Sequence, residues 1–233
     1  MFTADTAPAI QSRILYQSGA CIVINKSAGE AVEGAREKMG NLQQELKMFL
    51  GADIVEAVHR IDVPVTGCSL FALTSSAAAF LNNAFAGKHE PAVEKHYWAI
   101  TEKPPFLLPE SGELNHWIET NSKLNKSFAY DEEKPGRKKG SLRYRITGEG
   151  KNYLFLDVEL LTGRHHQIRA QLAACGLHIK GDLKYGAKRS EKGGGIRLHA
   201  RSLSFPNPLN KNEIICVTAD PPRMDNLWEA LFK

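Results

Sequence analysis

His59-Arg60-Ile61-Asp62-Val63-Pro64-Val65-Thr66-Gly67 sets a carboxylate beside an arginine in a short, turn-rich segment between two apolar runs. Val55-Glu56-Ala57-Val58 before it and Cys68-Ser69-Leu70-Phe71-Ala72-Leu73 after it both read as strands, so rigid elements would hold Asp62 at a loop mouth, where catalytic groups tend to sit. Taken alone, the same residues are also those of an Asp that starts a turn ahead of Pro64. The choice between the two depends on what else the chain carries.

A second segment bears on it. Leu160-Leu161-Thr162-Gly163-Arg164-His165-His166-Gln167-Ile168-Arg169-Ala170-Gln171-Leu172 runs toward Gly176-Leu177-His178-Ile179-Lys180-Gly181-Asp182 and then Tyr185-Gly186. From His165 to Cys175 the pattern predicts a helix with Ile168, Leu172 and Cys175 on one face and Gly176 as C-cap. Arg169 stands one position beyond Ile168 and so leaves the core-facing stripe for a cleft. Lys95-His96-Tyr97-Trp98-Ala99 and Leu198-His199-Ala200-Arg201-Ser202-Leu203-Ser204-Phe205-Pro206 add two strand-like pieces, and Ile24-Asn25-Lys26-Ser27-Ala28-Gly29 a third near the start.

Together these five pieces resemble the RluA-type family of RNA pseudouridine synthases. That family's signatures are His-Arg-Leu-Asp-x-x-Thr-Ser-Gly, Gly-Arg-Thr-His-Gln-Ile-Arg ahead of a Gly-Asp and a Tyr-Gly, a Lys-x-Tyr-x-Ala strand, a Leu-His-Ala strand and an opening Asn-Lys-Pro-Ala-Gly. The resemblance runs from about Ile14 to about Thr218, with the pieces in the family's order. Ile61, Val65, Thr66, Ser27 and His165 depart from the pattern. Many relatives carry a small S4 module before this point, and the expectation here is a chain without one: residues 1–12 as a tail and 13–233 as the catalytic domain.

The resemblance implies an α+β fold with a large mixed, mainly antiparallel sheet, flanking helices and a central active-site cleft. It also implies an isomerase that converts uridine to pseudouridine in ribosomal or transfer RNA. Asp62 would be the nucleophile, Arg169 its ionic partner, and Tyr97 the aromatic that stacks on the target base and assists proton movement at C5. Leu198, or its neighbour Ile196, would form an apolar wall under the base. Arg60, Lys95 and Arg164 would bind substrate, through phosphate or by filling the space of a displaced nucleotide, because duplex RNA hides the reacting atoms and the uridine must be flipped out. Whether Asp62 attacks ribose or base stays open. Two other readings stay open as well: an RNA-binding protein or chaperone that has lost turnover, and a hydrolase that releases the base.

Composition is compatible with this and excludes other classes. A chain of 233 residues with 42% apolar content can bury a sizeable core. Net charge is +4 and the pI near 8.8, which is mildly basic, but the distribution is uneven: Lys180, Lys184, Lys188, Arg189, Lys192, Arg197 and Arg201 face only Asp182 and Glu191, and Arg137, Lys138 and Lys139 form a smaller run. Cys21, Cys68, Cys175 and Cys216 are far apart with no Cys-x-x-Cys, the pattern of free, buried thiols in a reducing compartment. The N-terminus has no signal-like apolar stretch, and no run is long enough to span a bilayer, so the expectation is a cytoplasmic protein, a monomer whose partner is RNA and not a membrane.

Competing chemistries fail on spacing. His89-Glu90 and His96 are not His-Glu-x-x-His, the adjacent His165-His166 pair has no spaced third ligand, and Pro-Cys-x-x-Cys is absent. Gly181 to Lys188 lacks the Gly-Lys-Ser/Thr of a P-loop, and Gly193-Gly194-Gly195 reads as a flexible loop. The expectation is no metal and no organic cofactor.

Further elements follow from local pattern. Asn41 caps a helix to Leu50, and Ser76 to Ala86 forms another, closed near Gly87. Strands are expected at Ile14–Tyr16, Cys21–Ile24, Glu94–Thr101, Leu142–Ile146 and Tyr153–Leu161, with an irregular connection carrying short strands over 103–140. A last helix, Asp225 to Phe232, should pack on the body through Leu227, Trp228 and Leu231.

Overall fold

A computed structural model describes residues 9–34, 41–221 and 225–229. Its chain contacts divide into two compact units, one holding the described residues up to Lys95 and those from Ala200 to Pro221, the other the residues from His96 to His199 with 225–229.

In the first unit a 3₁₀ turn (Ile10–Arg13) leads into β1 (Ile14–Gln17) and β2 (Cys21–Lys26); after α1 (Leu42–Leu50) come β3 (Glu56–Ala57), β4 (Thr66–Ala72) and α2 (Ser75–Phe85). The order is β1-β2-β4, with β3 also on β4 and every one of these pairings antiparallel. β4 is buried along its whole length, as expected of a strand covered on both faces. Asn41 accepts the N–H of Gln44 and Gly51 closes α1 in the left-handed region, while Thr74 caps α2 by accepting the N–H of Ala77.

The second unit is built on β5 (Glu94–Glu102), β6 (Ser111–Asn121), β7 (Lys126–Tyr130), β8 (Lys138–Glu149) and β9 (Tyr153–Leu160), in the antiparallel order β5-β9-β8-β6-β7. β10 (Leu198–Asn207) from Ala200 on and its antiparallel partner β11 (Asn210–Thr218) belong to the first unit, whereas α3 (Gln167–Ala174) and α4 (Asn226–Glu229) complete the second. Trp228 is buried on Ile100 and Phe155 beside Trp98 and Tyr153, as the apolar spacing of this helix predicts; Leu231 lies outside the described residues.

The sheet is mainly antiparallel, as expected, but the segment 103–140 is more regular than its composition suggests. β6 and the start of β8 lie in it and pair over eight residues, from Ser111 with Arg145 to Ile118 with Lys138. Their polar residues are solvent-facing positions of strands, alternating with the half-buried Leu114 and the buried Ile118 and Leu142. The thiols differ from expectation at one end: Cys21 and Cys68 are buried and all four are free, but Cys216 is exposed. Alternation along β11 turns Ile215 and Val217 inward and Cys216 out. Among the described residues no helix is long and apolar enough to cross a membrane.

Candidate active site

In the first unit Asp62 is half-buried between β3 and β4, and its loop is tied down from several directions. The Asp62 carbonyl accepts the N–H of Val65 (2.9 Å), and the Val63 carbonyl accepts the N–H of Gly29 (2.8 Å) and the ammonium of Lys26 (3.2 Å). Lys26 is completely buried and donates also to the carbonyls of Ser27 (2.8 Å) and Glu30 (2.9 Å). Burial pulls its pKa down to about 7, against the opposing pull of the Glu30 and Asp62 carboxylates, while Arg13 adds to the fall. Glu30 in turn takes Arg13 at 2.7 Å and the Ser27 N–H at 2.8 Å. The turn carrying Asp62 therefore rests on Lys26, which stands in an ionic cluster with Glu30 and Arg13.

Three further features of the loop have local causes. His59 accepts the Leu70 N–H on Nε2 (3.2 Å) and stacks on Phe85, with ring centroids 5.1 Å apart. Burial, helped by the Lys95 charge, pushes its pKa down to about 3, so the ring is a neutral strut. Gly67 has φ +111°, and a Cβ there would sit 2.3 Å from the Ala200 carbonyl oxygen, so a side chain at this position would force the backbones of β4 and β10 apart. Val65 and Thr66, where the sequence departs from the family, are both buried.

Arg60 and Lys95 also belong to this unit. Arg60 is 71% exposed, with its guanidinium 3.4 Å from Glu33. Lys95 is half-buried over the Phe85 ring, 5.9 Å from its centroid, and burial lowers its pKa.

In the second unit Arg169 is held by Asp182, which accepts from Nε at 2.7 Å and Nη2 at 2.8 Å. The pair is almost fully enclosed, with side chains 4% and 2% exposed. Arg169 leaves the Ile168–Leu172 stripe as the helix pattern predicts, but it goes to this buried carboxylate and not to an open surface. Its guanidinium lies 4.8 Å from the centre of the Tyr185 ring. The Tyr185 hydroxyl accepts the Ser127 N–H, donates to the Ser127 carbonyl and lies 3.0 Å from His166 Nδ1.

His166 takes a left-handed conformation (φ +52°) ahead of α3 and stacks on His165, whose Nδ1 is 2.9 Å from Ser127 Oγ. Gln167 accepts from the Thr162 hydroxyl and the Arg164 N–H and donates to the Ser141 carbonyl, which fixes the turn before the helix. The segments 162–169, 182 and 185–186 thus form one hydrogen-bonded cluster. α3 starts at Gln167 rather than His165, because the preceding turn is used to make these contacts. Arg164 is exposed, its Nε donating to the Lys139 carbonyl at 2.9 Å.

Tyr97 and Leu198 are both buried. Trp98 and His199, their neighbours along the chain, each pack on Trp228 of α4. Strand alternation then turns Tyr97 and Leu198 to the sheet face away from α4. Ile196 is buried as well.

Two residues of structural weight carried no assigned role in the sequence. Lys26 and Asp182 were visible as members of Asn-Lys and Gly-Asp pieces, but their function is to hold Asp62's loop and Arg169, and a tertiary partner cannot be read from a local motif.

Residues 20–174 match the RNA pseudouridylate synthase family model, and the chain belongs to that family. It is 27% identical over 240 residues to the tRNA pseudouridine synthase C of Vibrio vulnificus, covering 94% of each chain. With the protein of the same name from Pasteurella multocida it shares 30% identity over 237 residues, covering 91% of this chain and 93% of the other. The fold is also that of human RNA pseudouridylate synthase domain containing 4, with a TM-score of 0.74 at 23% identity over 96% of this chain and 94% of that one.

Proposed function

We propose that this protein isomerises specific uridines of transfer or ribosomal RNA to pseudouridine, using Asp62 as the nucleophile on a flipped-out uridine. The reaction breaks the N1–C1′ bond, turns the uracil and forms a C5–C1′ bond. The C5 proton leaves and N1 gains one, so nothing is consumed. The family membership supports the reaction class, and the names of the transfer-RNA relatives favour that substrate.

The observation that carries the assignment to Asp62 is the anchoring of its loop. A buried lysine, a left-handed glycine and a backbone turn hold one half-exposed carboxylate at the end of a buried strand, which is how a nucleophile is kept in one geometry. Arg169, held by Asp182, stands at the position of the family's motif arginine and is read in that role. Tyr97 stacks on the base over the wall made by Leu198, and Arg60, Lys95 and Arg164 take up phosphates or the space left by the flipped nucleotide. The Val65-Thr66 departure does not favour an inactive scaffold, since Val65 fills a dry position where a methyl in place of a hydroxyl removes a polar group to be satisfied.

The test is Asp62→Asn, assayed by proton release from C5 of uridine in an unmodified transfer RNA transcript. The amide keeps the shape and loses the nucleophile, so turnover should fall by about a thousandfold or more while RNA binding persists. Parental activity in this variant would overturn the assignment.

A further inference from the structure

Between Gly181 and Ile196 the chain forms a loop whose charges are sorted by direction. Both of its acids point inward: Asp182 to Arg169, and Glu191 to Lys180 and Arg197, the last of which also holds Asp225. Tyr185 and Ala187 are buried, and the backbone is closed on itself by the N–H groups of Tyr185 and Ala187 on the Asp182 carbonyl. The loop is therefore held in one shape.

Lys184, Lys188, Arg189 and Lys192 are left on the outside, all exposed. Glu102 accepts the Lys188 backbone N–H. Lys184 donates to the Asn125 carbonyl at 3.0 Å, and so joins the loop to the β6–β7 turn, which carries Lys123 and Lys126. Lys126 lies 5.0 Å from the centre of the Tyr185 ring, the ring that Arg169 also contacts. Six cations from two segments some sixty residues apart in the chain thus form one surface that borders the Arg169–Asp182 pair.

We infer that this composite surface, the 184–192 loop with the β6–β7 turn, is a phosphate-binding track for the RNA flanking the target nucleotide. The inference rests on the pseudouridine synthase reading above. Lysines whose acids are already used inward keep their charge available, and a polyanion bound by them releases counterions. The backbone bonds on the Asp182 carbonyl tie down the turn that carries Lys184, which lowers the ordering cost of binding there. The mixed sources of the cations favour a curved backbone over a short linear peptide.

Filter binding of an unmodified transfer RNA transcript across salt concentrations tests it. The loop set is Lys184→Gln, Lys188→Gln, Arg189→Gln and Lys192→Gln; the turn set is Lys123→Gln and Lys126→Gln. Each cation lost from a phosphate should lower the slope of log affinity against log salt by roughly 0.7 to 0.9. With four cations the loop set should therefore lower it by about three and weaken binding about tenfold or more near physiological salt, and with two cations the turn set should lower it by about one and a half. The RNA concentration giving half-maximal isomerisation should rise with the dissociation constant. Arginine at the three loop lysines should keep the parental slope, which separates charge from folding.

An unchanged slope in the loop set overturns the track, and an unchanged slope in the turn set overturns its composite nature. Failure of the functional reading would look different: the parental protein would bind with a steep salt slope and release no C5 proton.

Discussion

Two regions of this protein use the lysine side chain in opposite ways. Lys26 is fully buried, donates to three carbonyls and neighbours the Glu30 carboxylate; Lys184, Lys188 and Lys192 are exposed on a loop whose own carboxylates face inward. In the first case the desolvated charge is spent on backbone geometry under Asp62, and its removal leaves polar groups stranded in a dry site. In the second the charge stays hydrated and exchangeable, so it adds little to folding and is available to a partner. The Arg169–Asp182 pair belongs with the first: enclosed and bidentate, it is a device for orientation.

The contrast is most sharply tested at that pair. Asp182→Ala strands a buried guanidinium, and chemical denaturation should show a loss of about 3 to 5 kcal/mol. A loss under 1 kcal/mol would mean that water or another group readily replaces the carboxylate, and that the pair is no orienting device.

Lys26→Met should cost about 2 to 3 kcal/mol at neutral pH, from three carbonyls left without a donor. The effect should grow with pH. Because the folded-state pKa of Lys26 is about 7, below the ordinary 10.5, the unfolded chain binds the proton more tightly between those values, and raising the pH favours the folded state. Unfolding free energies measured at pH 7 and pH 9 should show the gap between parent and variant widening by about 1 to 2 kcal/mol. A gap that stays constant would place the lysine in wetter surroundings than its burial indicates.

The smallest effect is expected on the exposed loop, where Arg189→Gln should change stability by no more than about 0.5 kcal/mol. Thermal unfolding that drops as far as for Lys26→Met would erase the distinction between the two regions and make the loop cations structural.

Local pattern made much of the fold legible. The caps at Asn41 and the strands of Cys21–Lys26 and Thr66–Ala72 depend on residues a few positions apart, so periodicity and side-chain chemistry announce them. β6 was not legible, because a strand with one solvated face and Glu113, Asn115 and His116 in its run looks like a loop until β8 pairs with it. The candidate site divides in the same way. Asp62, Arg169, Tyr97 and Leu198 stand out in motifs, whereas the inward course of Arg169 depends on a carboxylate thirteen residues further on.

The sequence by itself determined the candidate residues and the family to which the chain belongs, since residue types in a given order are a linear property. Tertiary structure alone decided which charges are buried and which stay in water. Lys26 and Lys184 are identical as letters, and the difference between them arises because folding closes three carbonyls around one in a buried site, while the other meets the Asn125 carbonyl and stays exposed to water.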